Sequence, residues 1–129
     1  MMEDRNHRMH GSQYVVEVFS RVREGDVSVA DLFTENAVIS FAGGTVTGRS
    51  AIRDFYRHTI HSMHPQPRIE AVLESPPLYV VILDVPTTLG HHRALDLFEV
   101  RDEGIRKLEI YARHGQDPSS RGLNDQGQR

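Results

Sequence analysis

Between Tyr14 and Val22 the apolar residues Tyr14, Val15, Val18, Phe19 and Val22 form one stripe at about 100° per residue, with Glu17, Arg21 and Glu24 off it. The spacing predicts an amphipathic helix that stops at Gly25. Asp26 or Ser28 can cap a short second helix whose Val29, Leu32 and Phe33 face inward. Ala37 to Phe41 reads as a strand, and Ala42-Gly43-Gly44 as a turn. A third helix is predicted from near Ser50, with Ile52, Phe55, Tyr56, Ile60 and Met63 on one stripe and Pro65 and Pro67 ending it. Four strand-like runs follow: Arg68 to Glu74, Leu78 to Val85, His91 to Val100 and Ile105 to Arg113. Their connections are Pro76-Pro77, Pro86 to Gly90 and Arg101 to Gly104.

A hairpin centred on Thr88 would set Asp84 opposite His92, Ile82 opposite Ala94 and Val80 opposite Asp96. One face then carries Leu78, Val80, Ile82 and Asp84 with His92, Ala94, Asp96 and Phe98. The other carries Tyr79, Val81, Leu83 and Val85 with Arg93, Leu95, Leu97 and Glu99. Both faces are largely apolar, so both need cover. If the helices cover one, a second copy of the chain is the expected cover for the other, near Leu95 and Leu97.

The chain has 129 residues, the size of a single domain. A domain over 12–114 is expected, with 1–11 and 115–129 too polar to repay ordering by burial. Lys+Arg of 15 against Asp+Glu of 18 gives no basic excess, which argues against a nucleic-acid partner. The absence of Cys removes disulfide, thiolate and zinc-thiolate chemistry. No apolar run approaches the roughly 20 residues that span a bilayer, and the start has no apolar leader core, so a cytoplasmic location is expected.

Asp96 interrupts the apolar alternation Ala94-x-Asp96-x-Phe98. A carboxylate there needs a donor or keeps its proton and donates; the competing reading has it in solvent or paired with Arg93 or Arg113. His92 shares the Asp96 face, about 13 Å away along the strand. Asp84 opposite could orient it as an acid/base at a pocket mouth, or the two form a surface pair. His58, His61 and His64 diverge around their helix and do not converge on a metal. The aromatics Tyr14, Phe33, Phe41, Phe55, Tyr56 and Phe98 can wall an apolar cavity or fill a core. Tyr14 and Tyr56 are the better contacts, because a buried phenol hydroxyl needs a partner.

The stretches GDVSVADLFTENAVISF and TGRSAIRDFYRHTI, in this order of elements, resemble the nuclear transport factor 2-like superfamily, its SnoaL-like and ketosteroid isomerase-like members included. The resemblance implies a cone-shaped α+β, cystatin-like fold: three N-terminal helices packed on a strongly curved, mostly antiparallel sheet around a pocket. It also implies a homodimer and a small hydrophobic ligand. LDLFEVRDEGIRKLEIY looks like the superfamily's strand-turn-strand, in which an Asp two residues before Phe projects into the pocket. In ketosteroid isomerases the matching Asp stays protonated and helps bind the enolate oxygen. Their proton-abstracting Asp would fall at Phe41, beside Ser40, so that carboxylate is missing. Their oxyanion tyrosine would fall at Val18, with Tyr14 one turn earlier. Two readings follow. One is a cofactor-independent isomerase, cyclase or dehydratase using Asp96 with Tyr14, Tyr56 or His92; the other is a non-catalytic binding or interaction module.

Overall fold

The computed structural model describes residues 9–114, the side chain of His114 excepted. The expectations for 1–8 and 115–129 lie outside these residues. Helix α1 is Gly11–Arg23, a 3-10 helix follows at Val27–Leu32, and helix α2 is Arg49–Met63. The strands are β1 Phe33–Phe41, β2 Gly44–Thr47, β3 Arg68–Ser75, β4 Leu78–Thr87, β5 Gly90–Arg101 and β6 Gly104–His114. They form one curled, open sheet in the order β2-β1-β6-β5-β4-β3, antiparallel except between β1 and β6.

Local chemistry accounts for the element ends. The Asp26 carboxylate accepts from the Ser28 amide at 2.9 Å and caps the 3-10 helix. Helix α2 ends with His64 in the left-handed region ahead of Pro65, where the chain cannot continue as helix. Gly104, at φ +138°, lies so close beneath the 3-10 helix that a Cβ would sit 2.7 Å from the Leu32 carbonyl oxygen. Helix α1 takes in Gly11, one residue ahead of the expected boundary, and Met9 packs against the core.

The helical stripe read in the sequence is the buried one: Val15, Val18, Phe19 and Val22 from α1, with Ile52 and Tyr56 from α2. They pack on Tyr79, Val81 and Leu83 of β4, Phe98 and Val100 of β5, and Ile105 and Leu108 of β6. Phe19 and Phe98 meet edge to face with ring centroids 5.8 Å apart. Among the described residues no helix is long and apolar enough to cross a membrane.

The β4–β5 register differs by one from the expected hairpin. Thr87 pairs with Gly90, so the loop is the two residues Thr88 and Leu89, and Val81 stands opposite Asp96. The Thr87 hydroxyl donates to the Gly90 carbonyl at 2.7 Å and accepts from the Leu89 amide at 3.0 Å, which fixes this short loop. Pro86 and Thr87 belong to β4, although the sequence reading assigned them to the connection. As a result Asp96 shares its face with Tyr79, Val81, Leu83 and Val85, and not with Leu78, Val80 and Ile82.

The opposite, outer face carries Leu73, Val80 and Leu97 in one row and Ala71, Ile82, Leu95 and Tyr111 in the next. Leu73 is 60% exposed, Leu78 43%, Leu95 40% and Tyr111 57%, so the described residues leave this face open.

Candidate active site

Asp96 is the buried charged residue of the core, 5% exposed among aliphatic and aromatic neighbours. Its row across the sheet is Val72, Val81, Asp96 and Ile110. Ser40 pairs with Glu109, which continues the same row to Phe41 beside Ile110. One row deeper, Tyr79, Phe98, Leu108 and Ile39 are buried and close the core. Toward the hairpin end, Ala94, His92 and Val85 are half-buried. The concave face thus passes from fully buried to half-buried side chains, and Asp96 sits at the boundary.

The Asp96 Oδ1 atom is fully buried and has no hydrogen-bond partner among the described residues. Burial alone raises the carboxyl from its ordinary 3.8 to about 7. Near neutral pH the group is then divided between acid and carboxylate, the condition in which one residue can both give and take a proton. Tyr56, at the midpoint of α2, is buried, and its hydroxyl is held well above the usual phenol range. Desolvation is the main cause and the charge of Asp96 the second, so the two groups share one electrostatic environment. Tyr56 stays a neutral donor throughout the physiological range.

The aromatics around them form a chain. Phe41 lies 5.1 Å from Phe55, Phe55 lies 5.2 Å from Tyr56, and Tyr56 lies 6.0 Å from Phe33, between ring centroids. Phe41, Phe55 and Tyr14 are half-buried and pack against the core, whereas Phe33 and Phe98 have no exposed surface and back the site from beneath. Phe41 also lines a groove of about 590 Å³ with Ile110 and Tyr111 at the end of β1. Ser40 and Phe41 supply no carboxylate where the sequence comparison puts the isomerase base.

His92 shares the inner face with Asp96, but Asp84 does not orient it. In the observed register Asp84 pairs with Arg93 across the strands. The Asp84 carboxylate instead bonds the His91 ring and the Arg68 guanidinium, the latter at 2.7 Å. These two bonds, His91 first, hold its carboxyl below the usual carboxylate range. This cluster belongs to the outer side of the hairpin. Sequence reasoning also passed over Val72, Val81 and Ile110, the row-mates that desolvate Asp96; only the correct register identifies them. Among the described residues no group of His, Asp and Glu side chains could hold a metal ion.

Residues 14–108 match the family model of the SnoaL-like domain. No curated protein sequence matches the chain. Among solved structures, an NTF2-like protein of unknown function from Cytophaga hutchinsonii is 15% identical with a TM-score of 0.72, covering 87% of this chain and 94% of that one. The epoxide hydrolase/cyclase-like enzyme SalBIII, described in pyran ring formation in the polyether salinomycin, is 25% identical with a TM-score of 0.70, covering 87% and 95%. A candidate polyketide cyclase from Sinorhizobium meliloti is 18% identical with a TM-score of 0.72, covering 77% and 94%. A family match over most of the folded residues, with the same cone architecture in each of these structures, establishes that the chain belongs to the SnoaL-like domain family of the nuclear transport factor 2-like superfamily.

Proposed function

We propose that the chain binds a small, hydrophobic carbonyl or hydroxyl compound on the concave face and isomerises, cyclises or dehydrates it, with Asp96 as general acid/base. The observation that carries this reading is the buried Asp96 carboxyl, its Oδ1 without a partner among the described residues and its pKa raised to about 7, sharing its electrostatic environment with the neutral donor Tyr56. A protonated Asp96 donates to a developing oxyanion or an opening epoxide oxygen; an ionised Asp96 removes a proton from carbon or hydroxyl. Tyr56 or Tyr14 hydrogen-bonds the same substrate oxygen, and Phe41 and Phe55 supply flat apolar walls. His92, on the same face nearer the hairpin end, is a second candidate acid/base. The reaction needs no cofactor, because only protons move. The likeness to SalBIII supports cyclisation as one form of this chemistry.

A non-catalytic ligand-binding or interaction module of the same fold is the alternative. It is favoured by one observation, the apolar Phe41 and the neutral Ser40 where an isomerase would carry its base. A second copy of the chain is the proposed cover of the outer face. That face presents Leu73, Leu78, Leu95 and Tyr111 to solvent, large apolar side chains that a partner surface would bury.

Asp96→Asn separates the two functional readings. A thermal-shift screen of steroids, flavonoids and polyketide intermediates should yield a binder that stabilises by about 2.7 kcal/mol at a hundredfold excess over Kd. Turnover lost in Asp96→Asn with binding retained supports catalysis; binding in both proteins with turnover in neither supports the module. Failure of every apolar ligand to bind would end the catalytic and the ligand-binding readings and leave only the interaction module.

A further inference from the structure

At the end of the sheet away from the β4–β5 hairpin, β1 departs from regular pairing with β6. Phe33 pairs with Ile105 and Val38 with Lys107, so five steps along β1 match two along β6 and Thr34, Glu35 and Asn36 arch outward. The arch is fastened at both ends to the start of α2. Arg49 Nε donates to the Phe33 carbonyl at 3.0 Å, and the Gly48 amide donates to the Ala37 carbonyl at 2.8 Å. Beneath it lies a groove of about 620 Å³, walled by the three arch residues, Arg49, Arg101, Arg106 and Glu103.

The charges in this groove are unevenly matched. Arg101 and Arg106 converge on one carboxylate, Glu99, at 2.7 and 3.7 Å. The half-buried arginines Arg21 and Arg53 each hold a carboxylate, Glu17 and Asp31. Arg49 is half-buried as well, yet its hydrogen bond goes to a backbone carbonyl and it has no ion-pair partner among the described residues. Among the described residues only its Nε is used. The planar guanidinium therefore keeps both terminal nitrogens, a geometry that matches two oxygens of one anionic group. The Thr34 hydroxyl and the Asn36 amide add neutral donors at the same wall. Glu35 and Glu103 disfavour an extended polyanion, so a single oxyanion group fits better.

We propose that this groove is a binding site for the carboxylate or phosphate group of a small molecule, anchored on the terminal nitrogens of Arg49 and on Arg106. It lies apart from the Asp96 face and does not depend on the catalytic reading.

The test is NMR titration of the full chain at low ionic strength with inorganic phosphate and with acetate, and with chloride as the reference anion. Saturable shifts should appear at the Thr34 to Asn36 amides and the Arg49 Nε–H, and Arg106→Gln should weaken them about tenfold, the loss of a charge-assisted hydrogen bond. Phosphate tighter than acetate assigns a phosphate ester; the two alike assign a carboxylate. Shifts spread over the exposed Arg57 and Arg68 with none at Arg49, or an unchanged Kd in Arg106→Gln, would overturn the site. Should Arg106→Gln not fold, Thr34→Val, which leaves the Arg49 bond to the Phe33 carbonyl in place, should weaken the shifts severalfold, and an unchanged Kd there would equally overturn the site.

Discussion

Asp96 should make folding stability depend on pH in a direction opposite to that of an ordinary carboxylate. In the unfolded chain its carboxyl titrates near 3.8 and in the folded state near 7. Between these values the folded protein holds a proton that the unfolded chain has released. Stability is therefore greatest below the unfolded value and falls as pH rises through the window from about 4 to 7, after which it levels off. Roughly 3 pH units at 1.36 kcal/mol each amount to about 4 kcal/mol across the window. Asp96→Asn removes this titration and keeps the shape. Any cost of burying an amide is independent of pH and cancels from the slope. Urea unfolding of both proteins at fixed concentration should show the variant gaining about 2.5 kcal/mol on the parent between pH 5 and pH 8. Other groups, including the oppositely shifted Asp84 and Glu109, titrate in both proteins and drop out of the difference. A difference that stays constant within about 0.5 kcal/mol over that range would mean that Asp96 is solvated or paired, and the acid/base role would lose its physical basis.

Three further outcomes are expected. Gly104→Ala should destabilise by about 2–4 kcal/mol, because its Cβ would meet the Leu32 carbonyl at 2.7 Å in a backbone conformation unfavourable for alanine; an unchanged melting temperature would contradict the packing described. Phe98→Ala should cost about 3–5 kcal/mol through the cavity left against Phe19, read by chemical denaturation. Leu95→Glu should weaken self-association by about 2–4 kcal/mol if a second copy covers the outer face. Sedimentation equilibrium measures this, and a parent protein that is monomeric at tens of micromolar would refute the interface.

The hydrophobic stripes of the helices were legible because burial on one side imposes a 3.6-residue period, and Val15, Val18, Phe19, Val22, Ile52 and Tyr56 are the residues that sank. Asp96 was legible for the same reason in reverse, as a charge at a buried position of a two-residue period. The hairpin register was not. It depends on whether Thr87 and Gly90 pair or belong to the loop, and a side-chain bond between them decides that at a scale no hydrophobic pattern records. β2 was hidden because Gly44–Thr47 is largely exposed and carries only Val46 as an apolar mark. The arch of β1 escaped notice too, since Thr34, Glu35 and Asn36 look like any polar strand edge until β6 is laid beside them.

Helix α2 is tied to the sheet at both ends. Arg49 and Gly48 bond the two sides of the β1 arch, and at the far end the Thr88 amide and hydroxyl both bond the Met63 carbonyl, at 2.8 and 3.2 Å. Tyr56, halfway between these moorings, is consequently held at a height above Asp96 that the sheet sets and no free loop adjusts. New chemistry on this scaffold is then most cheaply reached by exchanging single side chains around a fixed pair of backbone positions. Lengthening the β4–β5 loop or the β1 arch by one residue would shift one end of the helix relative to the other, and with it the spacing through which the Asp96 charge raises the Tyr56 hydroxyl.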